Sequence, residues 1–485
     1  MHVALVNTNL IRPPIAPIGL EYVGEALAAA GHTPHILDLT WESDPPSAVR
    51  DFFMKKEYHL VGLTLRNTDD CAFQSRFSFV EGFAQIAGTI RKHCGGVIVV
   101  GGAGFSVMPE QVLELCGADA GVWGDGEETF PAVAGIIENS CERDVPHQVL
   151  SLLPNLVCKK EGRWTRNPFR YTDLEKTPGF RRELFDNRLY FSLGGQGGFE
   201  TKRGCNRTCI YCADPAAKGS IIRMRHPESV AEELENLAAQ GIDHLHTCDS
   251  EFNLPREHAE QVCRQIDRRG LGEKIRWYAY CSPECFHQDL ARKMKKAGCA
   301  GINFGADSGD PGMLRRLNRR FSPEDIVNSV RTASQAGIPV MVDLLLGAPG
   351  ETHQSILNTI QLVKSSGADV AGIAVGVRVY PGTGLERYIW EHKLEHGLEA
   401  STPEAAPREP SFAPVFFMEP GVKSTIFDLL DRLVGTDERF LFFDPSKPES
   451  NYNYNANQRL EDAIKQGFRG AYWDILRKLR TTNTG

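Results

Sequence analysis

The sequence has no apolar run near the roughly 18 residues that a membrane helix requires. Its most apolar stretch, residues 340–348, is short and carries Asp343. It has no excess of basic charge: 54 lysines and arginines stand against 62 aspartates and glutamates, a net of −8. General nucleic-acid binders are basic, so a bulk grip on DNA or RNA is not expected, although a local basic groove stays open. The N-terminal MHVALVNTNL shows neither the basic region nor the cleavage pattern of a secretion leader, which makes the cytoplasm the default location. A disulfide framework is also missing. The 13 cysteines are odd in number and spread over 485 residues, unlike those of a small secreted domain. With 41% hydrophobic and 24% charged residues, the composition is that of a globular protein, and the length fits about three domains.

Within that frame the chain alternates strand-like and helix-like segments. Residues 2–6, 34–39, 60–65 and 97–100 read as strands, and residues 19–30 and 77–93 as helices. Strands separated by helices imply right-handed βαβ units and a parallel sheet. Residues 1–140 are therefore expected to form a doubly wound, Rossmann-like domain. Residues 141–190 lack a period and read as a linker with a short hairpin near 158–164. Residues 191–385 alternate again, with strands expected at 244–248, 275–280, 301–304, 340–346 and 371–379. Repeated βα units over this length point to a full or partial α/β barrel. Residues 386–485 are expected to be mainly helical after an acidic, proline-rich connection, apart from the polar-aromatic NYNYN at 451–455.

Three cysteines decide the chemistry. Thr201 to Ala213 reads TKRGCNRTCIYCA, in which Cys205, Cys209 and Cys212 form C-x3-C-x2-C. That spacing puts three thiols on one loop around a single small cluster, and thiolates are the usual ligands of iron–sulfur clusters. A four-iron cubane held by three thiolates keeps one iron open for chemistry. A structural zinc site would want a fourth closing ligand, and the nearest candidates, His226 and Cys248, do not match in spacing. Cys281, Cys285 and Cys299 are weighed as a second cluster, with buried thiols preferred.

This loop resembles the radical SAM superfamily, and elements further on agree in order. In that family the open iron chelates S-adenosylmethionine (SAM), whose reductive cleavage gives a 5′-deoxyadenosyl radical. The resemblance places Tyr211 against adenine. It makes Asp249 and Glu251, after the strand at 244–248, polar contacts to SAM. Gly305, Asp307 and Ser308 look like the family's strand-four element, and Gly347 opens a GAPGET segment similar to GxPGET. Tyr380-Pro381-Gly382-Thr383 resembles the YPGT element. All fall at carboxyl ends of expected strands, the face where barrel active sites are built.

Residues 97–130 resemble the cobalamin-binding domain fused upstream of many such enzymes. Gly101-Gly102, Pro109-Glu110 and Gly124-Asp125-Gly126-Glu127 recur in the family's order. Glycines after a strand let backbone approach a bulky ligand at the sheet edge. The resemblance implies cobalamin contacts from Leu65, Arg66, Asn67, Gly101, Gly102, Ala103, Gly124 and Glu127, with Arg66 near the lower face of cobalt. The sequence has Ala103-Gly104 where the family often has Pro-His, and no Asp-x-His-x-x-Gly to supply a histidine to cobalt.

The resemblance thus implies a cobalamin-dependent radical SAM enzyme with a [4Fe–4S] cluster, SAM and cobalamin. The first expectation is a methyltransferase. Methylcobalamin would donate to an unactivated carbon or phosphorus after hydrogen abstraction by the deoxyadenosyl radical. A non-methylating rearrangement or cyclisation, a radical SAM enzyme without cobalamin, and a non-catalytic sensor are the alternatives. The implied partners are a small-molecule or peptide substrate and an external electron donor of the flavodoxin or ferredoxin type. No catalytic side chain is singled out.

Overall fold

The computed structural model describes residues 1–139, 152–177, 179–400, 413–444, 446–447 and 453–483. The first sheet runs β2-β1-β3-β4-β5-β6-β7. It comprises β1 His2–Asn7, β2 Thr33–Asp38, β3 Leu60–Thr64, β4 Val97–Gly101, β5 Ala120–Val122, β6 Leu156–Lys160 and β7 Arg163–Arg166. The first five are parallel, and β6 and β7 join antiparallel. Central strands such as β1 (HVALVN) and β3 (LVGLT) are near-continuously apolar because helices cover both faces. Separate apolar clusters fill the two sides. The strand order switches sides between β1 and β3, and open α/β sheets bind ligands at that crevice. The hairpin expected near 158–164 is present, but it extends this sheet by pairing with β5 rather than lying in a linker.

The second sheet runs β19-β15-β14-β13-β12-β11-β8, all parallel. Its strands are β8 Gly197–Phe199, β11 His244–Thr247, β12 Arg276–Cys281, β13 Cys299–Asp307, β14 Val340–Leu346, β15 Val370–Val375 and β19 Phe440–Phe442. Between β8 and β11 lies a two-residue antiparallel pair, β9 Lys202–Arg203 with β10 Arg223–Met224. Helices pack outside, so the second sheet forms a partial barrel around one large core.

Three details differ from the sequence reading. The opening strand β8 was not among the expected strands, because its GGF sequence carries little β-propensity. The expected strand at 371–379 breaks at Gly376, whose φ is +81°. The chain there turns into a small antiparallel sheet of β16 Val377–Arg378, β18 Phe416–Phe417 and β17 Leu398–Glu399. The C-terminal region is helical over Ile426–Val434, Gln458–Lys465 and Tyr472–Asn483, yet it also closes the barrel edge with β19. Of NYNYN, Asn451 and Tyr452 lie outside the described residues.

The two units are locked by buried charge. Arg182 reaches Glu21 on helix Ile18–Ala29 at 2.5 Å and Glu233 on helix Pro227–Ala239 at 2.8 Å, and all three side chains are buried. Arg225 and the Tyr22 hydroxyl complete the shell around Glu233. Removing one member of such a network would leave an uncompensated buried charge, which costs several kcal/mol, about 3–5. The rigid seam fixes how the two carboxyl-end faces meet.

Candidate active site between the two domains

The cysteine loop leaves β9 and is pinned from three sides. Cys205 N–H donates to the Gly219 carbonyl at 3.1 Å, Ile210 N–H to Leu317 at 3.3 Å, and Leu385 N–H to Ile210 at 2.6 Å. Gly204, with φ +89°, permits the tight entry, since a Cβ there would lie 2.1 Å from the Ile221 carbonyl. Both carboxylate oxygens of Asp249 hold the loop's start. They accept from Thr201 N–H at 2.7 Å, the Thr201 hydroxyl at 2.5 Å and Lys202 N–H at 3.2 Å.

Cys205, Cys209 and Cys212 are partly accessible and close enough to act on one another's charge. Burial raises all three thiols, Cys212 to about 12. Among the described residues no three His, Cys, Asp or Glu converge where a single metal ion would sit. Three thiols on one loop that feel one another's charge suit a four-iron cluster. Cys263, Cys281 and Cys299 are buried in the barrel core, whereas Cys285 is exposed.

The chain ends of the barrel strands surround this loop. Tyr211 donates its hydroxyl proton to Asp307 Oδ2 at 2.7 Å, and Asp307 itself has φ +61°. Arg319, which the sequence reading missed, ties these parts together. It approaches Cys209 Sγ at 3.0 Å, the Tyr211 hydroxyl at 3.3 Å and Asp307 Oδ2 at 3.3 Å, and donates to the Gly305 carbonyl. Only a position in the basic run after helix Pro311–Arg316 hinted at it. Glu251 faces the same space, and burial raises its carboxyl to about 7 against the opposing pull of Arg319. Ser308 instead points into the core, where its hydroxyl meets Thr359 at 3.0 Å. Gly347, with φ +94°, lets the turn pass Met418, and its N–H donates to Glu351 at 3.2 Å.

A cavity of about 650 Å³ opens between the carboxyl ends of the two sheets. From the first domain it is lined by Asn7, Thr64, Arg66, Asn67, Gly101, Gly102, Ala103, Gly124 and Glu127. From the barrel come His246, Thr247, Cys248 and Tyr280, and from the C-terminal region Tyr454 and Tyr472. Leu65 does not line it: its side chain is in the core, and its carbonyl accepts from Gly104 N–H at 3.1 Å. Glu127 lines it but is paired with Arg203, which also holds Asp125 and Glu200. Pro109 and Glu110 are remote, Pro109 starting a helix whose Glu110 pairs with Arg166.

The residues fit a corrin. A Cβ on Gly102, whose φ is +107°, would lie 2.5 Å from the Leu65 carbonyl, so backbone forms the cavity wall here. Thr247 Oγ1 is buried at the cavity without a hydrogen-bond partner, a cost that a polar ligand removes. Arg66 projects its charge towards Cys248, Tyr280, Tyr454 and Tyr472. The Asn67 amide lies 3.2 Å from the Tyr454 hydroxyl. Tyr454 and Tyr472 thus cap the cavity, whereas Trp473 packs in the barrel core, and Tyr452 lies outside the described residues. Lys218, also missed, lines the cavity and donates to Asp214 and the Cys248 carbonyl, both at 3.2 Å.

A doubly wound sheet with a corrin-sized cavity, facing a partial barrel with a three-thiol loop, defines an enzyme of the cobalamin-dependent radical SAM class. The radical SAM superfamily matches residues 199–363 and the B12 binding domain residues 5–134. The chain is 31% identical over 450 residues to a tryptophan 2-C-methyltransferase of Streptomyces laurentii, covering 80% of this chain and 74% of that one. It is 27% identical to an uncharacterised methyltransferase of Pyrococcus horikoshii, covering 79% of each. Among solved structures, the radical SAM methyltransferase TsrM of Kitasatospora setae, with tryptophan substrate and a SAM analogue bound, superposes with a TM-score of 0.89 at 29% identity over 99% of both chains. TsrM with cobalamin and a [4Fe–4S] cluster gives 0.88 at 28% identity over 100% of both. The chain belongs to the family of cobalamin-dependent radical SAM methyltransferases, and its cofactors are a [4Fe–4S] cluster, SAM and cobalamin.

Proposed function

We propose that this enzyme methylates a ring carbon of tryptophan, or of a close tryptophan derivative, with SAM as the methyl source. The observation that carries the reading is one continuous cavity from the first domain's sheet edge into the barrel mouth, walled at the barrel end by His246, Tyr280, Tyr454 and Tyr472. Such an aromatic wall suits a flat aromatic substrate. The match to TsrM with tryptophan bound extends over 99% of this chain, the C-terminal cap included.

In this reading Cys205, Cys209 and Cys212 hold the cluster, and Tyr211, Glu251, Gly305 and Asp307 face SAM. Asp249, Ser308 and Gly347 act through the loops they hold. Arg66, Asn67, Gly101, Gly102, Ala103, Gly124 and Glu127 surround cobalamin, and Leu65 supports them from the core. Bound there, the cluster and SAM supply a 5′-deoxyadenosyl radical on reduction, and cobalamin supplies the methyl group. The protein orients the partners and keeps water out. An external flavodoxin- or ferredoxin-type donor delivers the electron, and the enzyme works in the cytoplasm. The test is anaerobic turnover of the reconstituted enzyme with tryptophan, a reductant and SAM carrying a deuterated methyl. A labelled methyl on the indole ring is expected. SAM cleavage with unmodified tryptophan would overturn the substrate assignment.

A further inference from the structure

The barrel lumen ends on a hydrophobic plug in which Tyr278, Met341, Val370, Ala471 and Trp473 pack together. The first charged group above that plug is Asp343, two residues beyond Met341 on β14. Its register partners on either side are Gly305 on β13 and Gly372 on β15. Neither glycine carries a side chain beside this carboxylate, and a Cβ at Gly305 would meet only Arg319 Nη2, at 3.6 Å. Asp343 is half-buried and acts on the charge of Tyr280, a residue of the cavity wall.

Its hydrogen bonding is one-sided. Trp473 Nε1 donates to Asn303 Oδ1 at 2.6 Å, and Asn303 Nδ2 donates to Asp343 Oδ2 at 3.1 Å. Asn303 is thus oriented by the plug, and it orients one carboxylate oxygen in turn. Asp343 Oδ1 has no donor, and no lysine, arginine or histidine pairs with the group, among the described residues. A carboxylate largely removed from water and without a cation is costly. Burial accordingly raises its carboxyl to about 7, opposed by Asn303 and reinforced by Asp307. Beside it stands Tyr280, 45% exposed although it lies within the barrel, with its ring 5.0 Å from that of His246. A carboxylate next to an accessible aromatic face is a receptor for an ammonium group carried on an aromatic body.

We propose that Asp343 binds the α-ammonium group of the substrate, which makes the substrate an aromatic amino acid with a free amino group. The assignment rests on the tryptophan reading above and goes further, since it excludes substrates whose amino group is acylated within a peptide. Tyr280 supports the ring, and Asn303 holds the carboxylate in line.

The experiment is calorimetric binding to the anaerobically reconstituted enzyme carrying cluster and cobalamin. The ligands are L-tryptophan, tryptamine, which keeps the ammonium, and indole-3-propionate, which lacks only the ammonium of tryptophan. In wild type, tryptophan is expected to bind at least about tenfold more tightly than indole-3-propionate, the scale of a charge-assisted contact. In D343N, tryptophan and tryptamine are expected to lose about tenfold while indole-3-propionate and SAM stay nearly unchanged. Equal wild-type affinity for tryptophan and indole-3-propionate overturns the proposal without any variant. So does a D343N enzyme that binds tryptophan as wild type does, or that loses SAM instead. Wild type that binds none of the three indoles overturns the tryptophan reading and this inference together, whereas the other failures leave the former standing. If D343N does not load both cofactors, D343S is read by the same criterion, beside the wild-type comparison.

Discussion

The guanidinium of Arg319 lies 3.0 Å from Cys209 Sγ and 3.3 Å from Asp307 Oδ2, so one cation spans a thiol of the proposed cluster loop and a strand-end carboxylate. Hydrogen bonds and charges at the sulfurs set the potential of such clusters. R319M should keep the iron but shift the cluster's midpoint potential to more negative values in a redox titration followed by electron paramagnetic resonance. SAM cleavage should fall by about tenfold, the scale of one charge-assisted bond. R319K should recover part of both. An unchanged potential in R319M would show that the contact is incidental.

The cluster and cobalamin sites are separate in the chain, so their occupancies should separate too. Replacing Cys205, Cys209 and Cys212 together by alanine should remove about four irons per protein. The visible corrin bands of added hydroxocobalamin should survive desalting unchanged. Iron that stays after this change would contradict the cluster assignment.

Gly102 forms cavity wall with φ +107° and no room for a Cβ. G102V forces either backbone movement or a strained residue, at about 1–3 kcal/mol. Most of the bound cobalamin should be lost, with the iron content kept. Full cobalamin retention would place the corrin elsewhere.

His258 is buried, donates its Nε2–H to the Arg225 carbonyl at 2.9 Å, and has its ionisation lowered to about 4 by burial. The unfolded chain takes up the proton near pH 6.5, which the folded chain refuses until about 4. The contribution is therefore complete above pH 6.5 and is lost as pH falls towards 4. Between pH 7 and pH 5, the urea stability of wild type relative to H258Q should drop by roughly 2 kcal/mol. Asp343 and Glu351, both raised to about 7, oppose this trend in each protein and cancel in the difference. A pH-independent difference would mean that His258 is protonated alike in both states.

Much of the fold was legible because its signals are local. Apolar strands between helices gave the two parallel sheets, and β1 to β4 fall within a residue or two of their expected places. The thiol loop and the glycine turns were legible for the same reason: their chemistry depends on neighbours a few residues away. β8 and β19 were not, because a three-residue strand is specified by its partners rather than by its own sequence.

Residue order alone places three thiols on one loop and lets backbone at Gly101-Gly102 and Gly124 come close to a ligand. Which polar side chains stay available for substrate and cofactor is set by packing between distant parts of the chain. Asp249 is taken by Thr201, Glu127 by Arg203 and Ser308 by Thr359, whereas Asp343 keeps an oxygen free. Arg319, Tyr454 and Tyr472 reach the site from 100 to more than 250 residues beyond the cysteine loop. The reason is that a charged or polar group pairs with whatever the fold brings within about 3 Å, and that choice is not encoded in spacing along the chain.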